Sequence, residues 1–183
     1  MSNGMFSGNP KTEWLSEGDD RDMRVLEPFW FLDPDGRRWD VPAGTVINGA
    51  SIPRTLWSSV GSPYTGGYRR AAVVHDAVTG REGVLRGEAD TMFYFACLAG
   101  GCSLIQAKLL YAGVRVGSWA SNNQVFAHDV ASMLPDAYRL PGQLTPRELE
   151  LRARYTLIAN QLLATPDSFP HIQSVVDQNL GPP

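Results

Sequence analysis

The sequence predicts an α+β fold, in which a small antiparallel β-hairpin or sheet packs on a bundle of about four helices. Three observations predict this class. Residues 28–46 are aromatic and apolar around a turn sequence, three apolar segments separated by glycines follow between 68 and 117, and residues 145–148 carry a helix-start signal. A chain of 183 residues, 43% of them hydrophobic, is long enough to bury one core.

The predicted strands lie on either side of the turn Asp33-Pro34-Asp35-Gly36. Residues 29–32 are apolar and aromatic, and residues 37–41 alternate between polar and apolar, which together is typical of a hairpin. Residues 45–47 are β-branched and predict a third strand, which ends at Asn48-Gly49.

The predicted helices share a pattern of apolar periodicity closed by glycine or opened by a capping residue. Ser51 and Pro53 favour a short helix start, and Thr145, Pro146 and Glu148 form a capping-box sequence. The expected ranges are 52–59, 68–79 ended by Gly80, 86–99 ended by Gly100-Gly101, 103–116 ended by Gly117, and 145–164.

Composition and charge divide the chain and exclude some classes of function. We expect a flexible N-terminal arm (1–20), a core domain (21–119) and a C-terminal extension (120–183) with one long helix packed on the core.

The net charge of −3 and the scattered Lys and Arg residues argue against a nucleic-acid partner. No apolar stretch reaches the ~20 residues of a transmembrane helix. Cys97 and Cys102 suit neither a disulfide framework nor a zinc site and are interpreted as small buried hydrophobes.

The first residues lack the basic start and apolar middle of a secretory signal. We therefore expect a protein that is cytoplasmic as synthesised. Two later destinations stay open, association with a virion and delivery out of the cell without a signal peptide.

Four short motifs occur in order: residues 41–44 (VPAG), 49–54 (GASIPR), 72–76 (AVVHD) and 88–90 (EAD). With these motifs, the chain resembles the bacterial and phage family catalogued as domain of unknown function 1353, over about residues 28–119. The resemblance implies a small domain of bacterial and prophage genomes and supplies no established activity. The family pattern usually has an aspartate at the position of Asn48.

The most informative polar residue is His75, which shares one helical stripe with Ala71 and Val78 and should point inward. A buried imidazole needs a hydrogen-bond partner, and Asp90 on the next helix is the nearest candidate carboxylate. A carboxylate on one ring nitrogen fixes the tautomer and raises the basicity of the other, which predicts a His75–Asp90 general-base dyad. The alternative is a buried cluster that only joins two helices.

Four further residues are candidates for loop, substrate or metal contacts. Asp76, about 100° round the helix from His75, should face the loop at 48–54 or the one at 61–67 and either bind a divalent cation such as calcium or hold the loop. The side-chain oxygen of Asn48 could join such a site. Ser51 is either a nucleophile or a helix cap, and Arg54 either binds an anion or pairs with Asp76. No other cofactor is indicated.

Two functions stay open from the sequence. The first is a small hydrolase that uses His75 and Asp90; secretory phospholipases also carry a His-Asp pair on one helix, although this chain lacks their disulfides. The second is a non-enzymatic phage or prophage structural or assembly component, with a phage or secretion-machinery protein as partner. The feature that separates them is whether His75 and Asp90 lie at the floor of an open cleft.

Overall fold

The computed structural model describes residues 2–17, 22–61, 66–122 and 144–183. These residues form two three-stranded antiparallel sheets and six helices, so the predicted α+β class is confirmed, with one helix, Phe169–Leu180, in addition to the five predicted ranges. The strands are β1 (Met5–Phe6), β2 (Thr12–Trp14), β3 (Met23–Val25), β4 (Phe29–Leu32), β5 (Arg38–Val41) and β6 (Val46–Ile47). The helices are α1 (Trp57–Val60, preceded by the 3₁₀ turn Arg54–Leu56), α2 (Arg69–Val78), α3 (Arg86–Ala99), α4 (Leu104–Asn122), α5 (Pro146–Leu163) and α6 (Phe169–Leu180).

The predicted hairpin is formed by β4 and β5, with Phe31 opposite Trp39. Its turn is organised by the carboxylate of Asp33. One carboxylate oxygen accepts from the backbone N–H groups of Asp35 at 3.0 Å and Arg37 at 2.8 Å, and the other accepts from the Trp39 indole at 2.9 Å. An aspartate at the first turn position that bonds backbone two residues later stabilises this geometry, which explains why the local sequence was sufficient.

The N-terminal residues, expected from the sequence to be a flexible arm, contain two strands in the structure. Within residues 2–17, β1 pairs with β4 and β2 pairs with β3, so this segment adds one strand to each sheet. The Phe6 ring lies 5.7 Å from the Phe29 ring and 4.8 Å from the Phe31 ring. The aromatic strand β4 thus supplies a partner that the polar composition of the N-terminus does not reveal. The third predicted strand, β6, also joins β3 in the second sheet instead of extending the hairpin.

Helices α2, α3 and α4 form the centre of the molecule, with α3 packed against both others. The bounds of α3 are those predicted, whereas α4 continues beyond Gly117 to Asn122. The reason is packing. A Cβ atom on Gly117 would lie 2.0 Å from the carbonyl oxygen of Ser51, so this glycine permits a close approach between α4 and the 48–54 loop and does not end the helix.

The C-terminal extension contains two helices in place of the single long helix expected. The predicted capping box at the start of α5 is present, because the Glu148 carboxylate accepts from Thr145 N–H at 2.8 Å and the Thr145 hydroxyl accepts from Glu148 N–H at 3.1 Å. Lys108 of α4 fastens the turn after α5 by donating to the Thr165 carbonyl and the Asp167 carboxylate, both at 2.8 Å.

In the part of the chain that the structure describes, none of the helices has the length and apolar character needed to cross a membrane.

Candidate functional site

The side chains of His75 on α2 and Asp90 on α3 meet in the core. His75 Nε2 lies 2.8 Å from Asp90 Oδ1, and neither residue is exposed to solvent (0% for both). An ionised carboxylate only accepts hydrogen bonds, so Nε2–H of His75 donates to Asp90. The His75 ring lies 4.9 Å from the Phe93 ring, at an interplanar angle of 50°.

Two arginines that the sequence analysis did not identify flank Asp90. Arg86, one turn earlier on α3, donates from Nε to Asp90 Oδ1 at 3.1 Å. Arg115 of α4 lies with Nε 3.8 Å from Asp90 Oδ2 and donates to Asp177 Oδ1 of α6 at 2.8 Å. The (i, i+4) spacing of Arg86 and the isolated charge of Arg115 in an apolar helix were the signals available in the sequence.

The charges of this group compensate one another, with two arginines and two carboxylates in contact. Arg115 also donates to the Tyr111 hydroxyl at 3.0 Å and to the Gly181 carbonyl at 3.0 Å. Burial raises the pKa of Tyr111 to about 12, even though the Arg115 charge opposes that shift. Tyr111 is therefore a neutral acceptor at any physiological pH.

We call His75, Arg86, Asp90 and Arg115 the Asp90 cluster. Four buried side-chain atoms of the described residues have no hydrogen-bond partner, namely His75 Nδ1, Arg86 Nη2, Asp90 Oδ2 and Arg115 Nε, and all belong to this cluster. Leaving a buried polar atom unsatisfied costs about 1–3 kcal/mol, and buried polar groups are normally paired. The cluster therefore has the capacity to bind a further polar group or water.

Three cavities of the described residues are lined by arginines of the cluster. Arg86 lines one of about 540 Å³, together with Trp39, and one of about 230 Å³, together with Thr79, whereas Arg115 lines one of about 130 Å³. None of the three linings includes His75 or Asp90. The open cleft that an exposed dyad would need is absent among the described residues.

Asp76 faces the loop between β6 and the 3₁₀ turn. Its Oδ2 accepts from the backbone N–H groups of Asn48 at 2.5 Å and Gly49 at 3.1 Å. Gly49 has φ +106°, a conformation that favours glycine. Asp76 therefore holds this loop, one of the two roles expected of it, and Asn48 takes part through its backbone. No group of three or more His, Cys, Asp or Glu side chains in the described ranges could hold a metal ion, and the calcium site at Asp76 stays a prediction.

Ser51 and Arg54 lie in a separate cleft of about 450 Å³ between the 3₁₀ turn, the end of α4 and the start of α5. The lining of this cleft includes neither His75 nor Asp90. The Arg54 guanidinium lies 5.5 Å from the Trp57 ring centroid. The 3₁₀ turn begins after Pro53 without a side-chain cap, so the structure does not show the cap predicted for Ser51.

Comparison with known proteins gives a family and no activity. The family described as "Protein of unknown function (DUF1353)" matches residues 23–114. Two curated relatives come from Sinorhizobium fredii (strain NBRC 101917 / NGR234). Uncharacterized protein y4jT is 37% identical over 112 residues, which is 61% of this chain and 33% of the relative. Uncharacterized protein y4iH is 38% identical over 97 residues, which is 53% of this chain and 41% of the relative.

The chain thus spans less than half the length of either relative. No solved structure matches it significantly. The family match includes His75, Asp76 and Asp90 and covers half of the chain, and the chain belongs to the DUF1353 family of proteins of unknown function.

Proposed function

We propose that this protein is a small hydrolase in which His75 is the general base and Asp90 the carboxylate that orients it. The observation that supports this most is the state of the two ring nitrogens. Nε2 is bonded to Asp90, whereas the buried Nδ1 has no partner among the described residues. A histidine retained only for packing is expected to have both nitrogens satisfied. An unpaired Nδ1 opposite a carboxylate-bonded Nε2 is the arrangement that accepts a proton from water.

The neighbouring residues would position this pair. Arg86 and Arg115 hold the Asp90 carboxylate, which fixes the tautomer of His75. Asp76, next along α2, fixes the loop at Asn48 and Gly49 on the adjacent face of the helix. A substrate would approach Nδ1 after displacement of the side chains that now seal it, and the cavity lined by Arg86 and Thr79 borders both α3 and the end of α2.

A second candidate function is favoured by the complete burial of His75 and Asp90. In this alternative the protein is a non-enzymatic phage or prophage structural or assembly component. The Asp90 cluster joins α2, α3 and α4, and the pairing of Arg115 with Asp177 adds α6. Exposed apolar side chains outside the family match would then contact partner proteins, as for Trp14 on β2 (64% exposed) and for Leu149 and Leu157 on α5.

Reaction of His75 with diethyl pyrocarbonate separates these functions. The chain has three histidines, so a H128A/H171A variant leaves His75 as the only one. If the protein is a hydrolase, diethyl pyrocarbonate should modify His75 of the folded variant slowly but completely, because motion of the site exposes Nδ1 to the reagent. Adding His75→Gln removes the signal. If the folded variant is unreactive while the urea-unfolded chain reacts, His75 has no path to solvent, and the non-enzymatic function replaces the hydrolase.

Hydrolytic activity is then measured with chromogenic carboxylic ester, phosphodiester and amide substrates. His75→Gln should lower any turnover by about 10²–10⁴-fold, the range expected for loss of a general base, with an unchanged circular dichroism spectrum. His171→Gln is the matched control, because His171 is an exposed histidine on α6 and its replacement should leave turnover unchanged.

A further inference from the structure

The two cysteines of the chain meet at the turn that joins α3 to α4. Cys102 N–H donates to the Cys97 carbonyl at 3.0 Å, and Gly101 N–H donates to the Leu98 carbonyl at 3.1 Å. Gly101 has φ +98°. This pair of bonds defines a Schellman motif, in which the side chains of the first and last residues come into contact. Two residues five positions apart, interpreted from the sequence as separate buried hydrophobes, are therefore neighbours.

The two thiols are chemically unequal. Cys97 is fully buried, whereas Cys102 is 8% exposed. Burial raises the pKa of Cys97 well above its ordinary value, whereas the hydrogen bond from Cys97 lowers the pKa of Cys102. Since the thiolate is the reactive form, Cys102 is the residue that reacts with a small oxidant. Cys97 is then the resolving thiol, which reacts with the oxidised Cys102.

The backbone also suits a bond between the two sulfurs. A disulfide needs Cα atoms about 4.4–6.8 Å apart. The backbone hydrogen bond of 3.0 Å from Cys102 N–H to the Cys97 carbonyl brings the two residues together across the turn, as a disulfide requires.

We propose that Cys97 and Cys102 form a redox-active dithiol that hydrogen peroxide converts into an intrachain disulfide. The Cys102 thiolate attacks one peroxide oxygen, the O–O bond breaks, and the departing hydroxide takes a proton to become water. The sulfur of Cys97 then attacks the Cys102 sulfenic acid, the S–O bond breaks, and the hydroxyl leaves as water with the Cys97 proton. Two thiols are thereby oxidised by two electrons and one peroxide is reduced to two waters.

The turn that carries the dithiol lies directly against the residue that leads into α2. A Cβ atom on Gly67 would lie 3.1 Å from Cys102 N, and one on Gly100 would lie 2.2 Å from the Gly67 carbonyl oxygen. There is therefore no free space between the two backbones. A change in the turn on disulfide formation acts on the start of α2, the helix of His75, whether or not His75 is catalytic.

The test uses the reduced 183-residue chain, treated with hydrogen peroxide and analysed by mass spectrometry without reductant. We expect a monomer lighter by two hydrogens, with no thiol left to react with a maleimide. Cys97→Ser should stop at the Cys102 sulfenic acid, which dimedone labels. Cys102→Ser, the matched control, should stay unlabelled over the same time because Cys97 is sealed.

Three results would overturn the proposal. They are a disulfide between two chains, dimedone labelling of Cys97 in the Cys102→Ser variant as fast as that of Cys102 in the Cys97→Ser variant, and two free thiols in the folded chain under conditions that oxidise the urea-unfolded chain. The first and third are measured on the unmodified sequence and do not depend on whether a variant folds.

Discussion

Replacing Asp90 with asparagine tests how strongly the Asp90 cluster holds the helices together. Asp90 is fully buried, accepts hydrogen bonds from His75 at 2.8 Å and Arg86 at 3.1 Å, and lies 3.8 Å from Arg115. Asparagine keeps the size but removes the negative charge between two guanidiniums. Loss of one partner of a buried ion pair costs about 3–5 kcal/mol. Because Arg115 keeps Asp177 at 2.8 Å, we expect the lower end, about 3 kcal/mol.

Urea unfolding followed by tryptophan fluorescence measures this change in the free energy of unfolding. For a chain of this size, a loss of about 3 kcal/mol corresponds to a fall in the melting temperature of roughly 6–12 °C. The control is Asp177→Asn, whose side chain is 29% exposed and therefore keeps contact with water, so its replacement should cost less than that of the fully buried Asp90. If Asp90→Asn costs no more than Asp177→Asn, the buried carboxylate does not hold the helices as its contacts indicate.

Three further outcomes are expected. The pKa of Tyr111 is raised to about 12 in the folded protein, against about 10 in the unfolded chain. Because the unfolded chain loses this proton first, the contribution of Tyr111 to the free energy of unfolding should fall by about 1.4 kcal/mol per pH unit between pH 10 and 12. Tyr111→Phe should flatten the slope in alkaline urea titrations, and an unchanged slope would contradict this. Gly117→Ala should cost roughly 1–3 kcal/mol through its clash with backbone. Gly113→Ala on the same helix should not lower the free energy of unfolding, because the nearest atom to the added Cβ lies 3.4 Å away. Equal urea midpoints for the Gly117→Ala and Gly113→Ala variants would refute this contrast. Asp76→Ala should lower the hydrogen-exchange protection of the backbone amides of Asn48 and Gly49, which donate to Asp76. Asp76→Asn should retain part of this protection. Full protection in both variants would show that another group holds the loop.

The features that the sequence predicted well are those decided by neighbouring residues. The bounds of α3 follow from the glycines after Ala99, and the hairpin follows from the turn around Asp33. The pairing of His75 with Asp90 also followed from local information, because the connection between α2 and α3 is short and one stripe of α2 had to be buried. The catalytic role assigned to this pair stays a prediction.

The features that were missed depend on residues distant in sequence. Whether residues 5–6 pair as a strand depends on the aromatic partner β4, more than twenty residues later. Gly117 was interpreted as a helix end, but its partner is the carbonyl of Ser51 in another part of the fold. Arg115 is stabilised by Asp177, 62 residues away, so its burial had no local signal beyond an isolated charge among apolar residues.

Adjacent residues on α2 bind two different neighbours. His75 contacts α3, and Asp76, about 100° away around the helix, contacts the loop after β6. Rotation of α2 about its axis would therefore strain both contacts together, and a single residue inserted before His75 would displace both side chains by a similar angle. The imidazole and the 48–49 loop are therefore positioned by one and the same helix, and the angle between the two side chains is set by the backbone of α2.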